Sequence, residues 1–469
     1  MIQAAGNGSY SCCGILLPQL EADVDDEGHA MQAEVADGDC YITVEHEMSK
    51  THYISFLAYV TANYVRTGRK CSESFTRVVH ILEATDIYIE DDMEIHVVME
   101  GDDIDSIAAA YGVDVWQLIY DNQIIYPYRL AVGQALLVQT GARSPQRSIY
   151  VSGYAYPFIS RWVLQQTLPF LSDLPIFSYG FTAEGELVPP LLDERWMIRE
   201  AVRYGTEAVL TLTPLGPDGR FNNSLISAVV YNEYAADALI SNLLETMREK
   251  GYGGLDIDFE YILPDDRNAF TTFVQKTAEA MRAAGYWLSI ALAPKSSSEQ
   301  RGLLYEGKDY RALGEAADHV LLMTYEWGYT YGPPMAVAPL PQVRDVVEYA
   351  VTEIPASKIN LGIPNYGYDW PLPYERGVTR AQTLGNVQAV QLAIARGAAI
   401  EFDETAQSPY FNYVEDGTEH EVWFEDVRSL QAKFGLITDY ELRGCGYWQI
   451  MQWFRANWLL LRDNFYILK

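Results

Sequence analysis

The segment Gly254-Leu255-Asp256-Ile257-Asp258-Phe259-Glu260-Tyr261 places three carboxylates at alternate positions. On a β-strand successive side chains face opposite ways, so Asp256, Asp258 and Glu260 share one face while Leu255, Ile257, Phe259 and Tyr261 share the other. Like charges at that spacing raise the proton affinity of at least one carboxyl. Glu260, last of the three and nearest the C-terminal end of the strand, is the expected holder of that proton and the expected general acid. Two blander arrangements compete: an edge strand with a solvated acidic face, and a carboxylate metal site. The fully apolar opposite face argues against the first. The lack of any histidine near this strand in sequence argues against the second.

Carboxylates aimed at a common interior need neighbouring strands to enclose them. From about residue 148 onward, apolar runs at 150–156, 175–181, 208–212, 254–261, 287–293, 319–325, 358–363 and 444–450 alternate with helical stretches. That alternation predicts α/β architecture, a (β/α)8 TIM barrel over 148–469 with the acidic run as its fourth strand. The helix after the acidic run opens with Pro264-Asp265-Asp266, carries Phe270, Phe273, Val274 and Met281 on one face, and stops at Gly285. Between the seventh and eighth runs lie about eighty residues, more than a crossover requires. They predict an inserted small α+β subdomain at about 368–440 that walls one side of the barrel mouth.

Residues 94–140 read strand, helix, helix, strand. An aspartate in Gly101-Asp102-Asp103 caps a helix with Ile104, Ile107, Ala108 and Tyr111 on one face, and Gly112 ends it. Val115, Leu118 and Ile119 mark a second helix, and Gly133 to Val138 returns as a strand. Residues 1–92 alternate like strands, as in Cys40 to Glu45 and His52 to Val60, and predict a separate β-rich domain.

Composition narrows the functions open to the chain. With 49% hydrophobic, 13% aromatic and 21% charged residues over 469 positions, it is globular and long enough for more than one domain. The formal net charge of -31 repels nucleic acid and anionic membranes, so neither is an expected partner. No apolar run reaches the ~18 residues of a membrane span. The N-terminus lacks a basic stretch followed by an apolar one, so no secretory signal is read and synthesis in the cytoplasm is expected. Four of the five cysteines fall within the first 71 residues, which is no secreted disulfide framework.

Asp256, Asp258 and Glu260 match the last three acidic positions of Asp-x-x-Asp-x-Asp-x-Glu, and the strand thereby resembles the signature of glycoside hydrolase family 18, the chitinase-like barrels. The first acidic position is Gly253 here. The resemblance implies a substrate-assisted retaining mechanism that needs no cofactor. In it Glu260 protonates the leaving oxygen, Asp258 orients the substrate's acetamide, Asp256 supports Asp258, and Tyr325 hydrogen-bonds the acetamide. It also implies substrate-binding roles for Trp448, Tyr366, Asn365, Met323, Glu326 and Tyr179. Ala293-Pro294-Lys295, Met323 to Pro334, Gly362 to Trp370 and His420 to Asp426 look most like the spore cortex-lytic N-acetylglucosaminidases of that family. The implied partner is peptidoglycan, or a chitin-like glycan, and the implied location is the spore.

The segment 94–140 resembles the LysM module, which binds N-acetylglucosamine polymers. His29, His46 and His52, with Cys12-Cys13-Gly14, resemble the desulfoferrodoxin family of superoxide reductases, where they match three of four iron-binding histidines. Asp86 to Met93 lacks that family's final cysteine and histidine, so the resemblance implies a degenerate scaffold without its iron. A non-catalytic glycan-binding coat protein, a chitinase-like enzyme on another acetamido-glycan, and a redox protein remain the alternatives.

Overall fold

The structure is a computed structural model and describes four short N-terminal strands together with residues 93–141, 145 and 147–469. The chain divides into two compact units, Met1–Glu90 and Asp91–Lys469. In the first, Tyr10–Cys12 (β1) pairs antiparallel with Ile15–Leu17 (β2), and Gln32–Ala36 (β3) with Asp39–Thr43 (β4). His29, His46 and His52 lie outside the described residues.

The second unit opens with Met93–Val97 (β5), followed by Ile104–Tyr111 (α1), Val115–Asp121 (α2) and Ala135–Gln139 (β6), with β5 and β6 antiparallel. Asp103 caps α1 by accepting from the Ser106 amide, and Gly112 ends it in the left-handed conformation. Asn122, just past α2, ties that helix to the returning strand. Its Oδ1 accepts from the Leu137 amide at 2.7 Å and its Nδ2 donates to the Leu137 carbonyl at 2.8 Å. Strand β6 is buried on both faces: Leu136 and Val138 pack with Ile104, Ile107 and Leu118, whereas Leu137 joins the main core of the barrel. The small module and the barrel therefore share a strand's worth of core.

The barrel strands are Ser148–Gly153 (β7), Asp173–Phe181 (β8), Glu207–Leu212 (β10), Gly254–Ile257 (β11), Trp287–Leu292 (β12), His319–Leu322 (β13), Ile359–Pro364 (β14) and Gly444–Trp448 (β20). All pair in parallel in that order, and β7 closes the ring by pairing with β20 on one side and with β8 through Ser152 and Asp173 on the other. Leu187–Val188 (β9) flanks β8, and Tyr466–Ile467 (β21) lies beside β7. The helix after β11, Arg267–Ala283, buries Phe270, Phe273, Val274 and Met281 as its sequence pattern requires.

Between β14 and β20 the chain builds an antiparallel sheet from Gly367–Leu372 (β15), Gln382–Leu384 (β16), Glu401–Asp403 (β17), Ser408–Glu415 (β18) and Thr418–Trp423 (β19), with helix Asn386–Arg396 against it. The last strand of this sheet ends at Trp423, ahead of the limit expected near 440. Helix Val427–Asp439 belongs to the barrel's outer layer, because Val427, Leu430, Phe434 and Ile437 join the main core. Its helical pattern alone did not distinguish a subdomain helix from a barrel helix.

The module docks on this insertion and on the C-terminal helix Arg455–Asn464. Arg455 pairs with the buried Asp121 at 2.8 Å, and the Ile400 amide donates to the Val132 carbonyl at 2.8 Å. A Cβ on Gly133, whose φ is +81, would come within 1.7 Å of the Ile400 carbonyl oxygen. Gly133→Ala is accordingly expected to destabilise this unit by roughly 1–3 kcal/mol, through backbone strain and a lost approach. Urea denaturation checks this, and an unchanged midpoint would contradict the close docking.

Candidate active site

The acidic run emerges inside the barrel mouth. Strand β11 ends at Ile257, but the Asp258 amide still donates to the Leu212 carbonyl at 2.9 Å, so the pleat carries on past the ladder. Alternation holds as expected. Leu255, Ile257 and Phe259 pack outward in the main core, Phe259 stacking on Phe181, while Asp256 and Asp258 are buried within the barrel and Glu260 is exposed.

Asp256 is held at both oxygens. Ser289 on β12, its register partner, donates to Oδ1 at 2.6 Å, and Tyr154 beyond β7 donates to Oδ2 at 2.9 Å. Burial pushes the Asp256 carboxyl up to about 6, against the pull of these two hydroxyls. Asp258 is driven well above the carboxylate range, first by burial, then by the charges of Glu260 and Asp256, with Lys308 opposing. Its Oδ1 is buried without a hydrogen-bond partner among the described residues. Asp258 is thus the desolvated carboxyl that stands between the buried Asp256 and the exposed Glu260.

Gly253 lies at the other end of the strand, where a Cβ would come within 2.0 Å of the Glu207 carboxylate. Glu207 in turn accepts from the Trp287 indole at 2.7 Å. The departure from the acidic signature thus sits below the chemistry, in space already filled by another carboxylate.

Several residues implied by the resemblance gather at the mouth. Trp448 packs against Phe177, Tyr154 and Tyr156 with ring centroids 5.0–6.1 Å apart, and Met323 joins that cluster. Tyr325 is buried close enough to the acidic run that, after burial itself, Asp258 and Glu260 push its hydroxyl upward. Glu326, in the left-handed region at φ 67, accepts hydrogen bonds from both Tyr366 and Tyr368. Burial raises its carboxyl, and the two hydroxyls oppose that rise.

Two implied substrate contacts are placed otherwise. Tyr179 points out of the barrel into the helical layer, where it donates to Glu194 and packs on Tyr252 beneath Lys250. A register shift in β8 between its pairings at Leu210 and Leu212 turns that side chain outward. The buried Asn365 donates its amide to the carbonyls of Gln449 and Gln452 at 3.1 and 3.0 Å, which commits it to the loop after Trp448.

Tyr154, Tyr156, Phe177, Ser289, Tyr368 and Lys308 were not singled out from sequence. Ser289 carried a usable signal, since pairing the fourth and fifth predicted strands in register sets it across from Asp256. Lys308 carried none, being in a loop without periodicity.

A closed (β/α)8 barrel with carboxylates aligned at the C-terminal mouth of its fourth strand, ringed by aromatic side chains, is the architecture of a glycoside hydrolase. The chain belongs to glycosyl hydrolases family 18, whose sequence pattern matches residues 216–452, and residues 96–139 match the LysM domain. It is similar to the cortical fragment-lytic enzyme of Bacillus subtilis, 39% identical over 430 residues that cover 80% of this chain and 99% of that protein. Crystal structures of the spore cortex-lytic enzyme SleL resemble it as well. That from Bacillus cereus is 32% identical with a TM-score of 0.76, covering 80% of this chain and 99% of that one. That from Bacillus megaterium is 33% identical with a TM-score of 0.75, covering 81% and 99%.

The buried carboxyls set a pH dependence of stability. Asp173, at the start of β8, is pushed up to about 7 by burial, with Ser152 and Arg443 opposing. Between the ordinary aspartate value of 3.8 and about 7 the folded protein holds a proton that the unfolded chain has released. Stability from this group is therefore lost as pH rises through that window, and Asp256 adds the same sign up to about 6. Asp173→Asn should flatten the fall in stability measured by urea denaturation from pH 5 to pH 7. A slope equal to that of the wild type would show that Asp173 is not the group responsible.

Proposed function

We propose that the protein hydrolyses β-1,4 glycosidic bonds after N-acetylglucosamine in peptidoglycan, with spore cortex as its substrate, and that it acts in association with the spore. The observation that carries this reading is the graded set of inner carboxyls: Asp256 fixed by two hydroxyls, Asp258 buried and proton-retaining, and Glu260 open to a substrate. The names of the relatives and the presence of a LysM module, a glycan-binding family, support the choice of polymer.

In this mechanism the proton that Asp258 retains at rest passes to Glu260 as the substrate's acetamide N–H engages Asp258, and Glu260 delivers it to the glycosidic oxygen as the C1–O bond breaks. The carbonyl oxygen of the sugar's own 2-acetamido group attacks C1 from the opposite face and forms an oxazolinium ring. Asp258 accepts a hydrogen bond from the acetamide N–H and balances the positive charge that develops there. Tyr325 donates to the same acetamide and holds it in line. Water then attacks C1, loses a proton to Glu260 and reopens the ring, so the anomeric configuration is retained. Trp448 supplies an apolar floor beneath the reacting sugar.

Each carboxyl has a distinct task, so their substitutions are expected to separate. Glu260→Gln should lower kcat by about 10²–10⁴-fold with binding of cortex fragments preserved. The check is mass spectrometry of products from purified cortex, which reports the bond, the anomer and the end group together. Reducing N-acetylglucosamine ends are expected from the wild type. Release of none from cortex, vegetative peptidoglycan or chitin oligomers would refute the reading, and binding without turnover would identify a glycan-binding protein instead.

A further inference from the structure

Lys308 is a lysine with no exposed surface inside the catalytic end of the barrel. Among the described residues its ammonium has a single acceptor, the Ala291 carbonyl at 3.5 Å, which is too long to count as a good hydrogen bond. A buried ammonium so poorly bonded is costly unless an opposite charge compensates it. The charges that act on Lys308 are those of Asp258 and Glu260. Asp258 shows the complementary deficit, a buried oxygen without a hydrogen-bond partner among the described residues.

The loop carrying Lys308 is locked in place from three sides. Gly307 lies so close to the chain just past Glu260 that a Cβ there would meet the Ile262 carbonyl oxygen at 2.4 Å. Lys295, also buried, donates its ammonium to the Lys308 carbonyl at 3.1 Å. Tyr310 donates to the Ala293 carbonyl and accepts from the Lys295 amide, and Asp309 caps the following helix, Tyr310–Ala316, while pairing with Arg267 at 2.8 Å. Past the end of β13, the charges of Asp258 and Glu260 act on Tyr325, and that of Glu260 on Glu326. Among these groups Lys295, Asp309 and Arg267 already have partners, which leaves Lys308 as the buried cation whose charge acts on Asp258 and Glu260.

We propose that Lys308 is a positioning residue for the hydrolysis: its buried ammonium fixes at one the number of protons that Asp258 and Glu260 share at neutral pH. One proton over two carboxyls leaves a single negative charge, which the ammonium neutralises. It is also the count the mechanism needs, an acid at one carboxyl and an ionised acetamide partner at the other. With two protons the acetamide loses its counter-charge, and with none the leaving oxygen has no donor. The inference rests on the catalytic roles proposed above for Glu260 and Asp258. Burial lowers the proton affinity of Lys308 while the two carboxylates sustain it, in keeping with a cation kept for their sake.

The test is the pH profile of kcat/KM on purified cortex fragments for the full-length wild type, K308M and K308R. Removal of a positive charge raises the proton affinity of neighbouring carboxyls, so both limbs of the K308M profile should move to higher pH, by roughly one unit. On the acid limb this appears as about a tenfold loss relative to wild type, shrinking as pH rises. K308R should retain the wild-type limbs. Thermal denaturation verifies folding, and K308Q serves in place of K308M if that variant does not fold. A K308M or K308Q profile that superimposes on the wild type, or that is lowered equally at every pH, overturns the inference and leaves Lys308 a packing residue. Absence of turnover by the wild type itself overturns the proposed function and this inference with it.

Discussion

Negative charge confined in a low-dielectric interior is the constraint around which this barrel is organised. Asp173, Asp256 and Asp258 all lie within the ring of strands, where an ionised carboxylate loses its hydration and gains repulsion from its neighbours. The structure answers differently at each depth. Near the bottom Asp173 is left close to neutral, with Arg443 and Ser152 at hand. Midway, Asp256 receives two hydroxyl donors from β12 and from beyond β7. At the mouth Asp258 is left without a partner on one oxygen among the described residues, with the charge of the Lys308 ammonium opposing its rise. Among the described residues Asp173 and Asp258 each keep one buried oxygen without a hydrogen-bond partner, the first at the bottom, where burial raises the carboxyl to about 7, and the second toward the open mouth.

The same constraint explains which features were legible in the sequence. Alternation of acidic and apolar residues over 254–261 is a strand-level pattern, so the inward face of the carboxylates could be read directly. The eight apolar runs and the oversized gap between the last two likewise follow from periodicity and length. The partners that tune the carboxyls could not be read so easily. Ser289 needs strand register, Tyr154 needs the closure of the first strand against the eighth, and Lys308 lies in a loop whose path is set by contacts with Ile262, Lys295 and Tyr310.

Side-chain direction was the least predictable quantity. Tyr179 falls on a barrel strand, yet an irregular pairing between β8 and β10 sends it into a buried cluster with Glu194 and Lys250. Asn365 stands beside the mouth but serves the backbone of the loop after Trp448. Helix Val427–Asp439 shows the same limit at the scale of an element, since its apolar stripe is compatible with either layer until the main core claims it. In each case long-range packing decided what the residue or the helix does.

Strand β6, with Leu136 and Val138 in one core and Leu137 in the other, joins the LysM module and the barrel in a single cooperative structure. Mass action then applies across that shared strand. A glycan that occupies the module only when it is folded adds its binding free energy to the stability of the barrel, by RT ln(1 + [L]/Kd). An enzyme of this design becomes thermally hardier while held on its polymer, and softens as the polymer it has cut away is released.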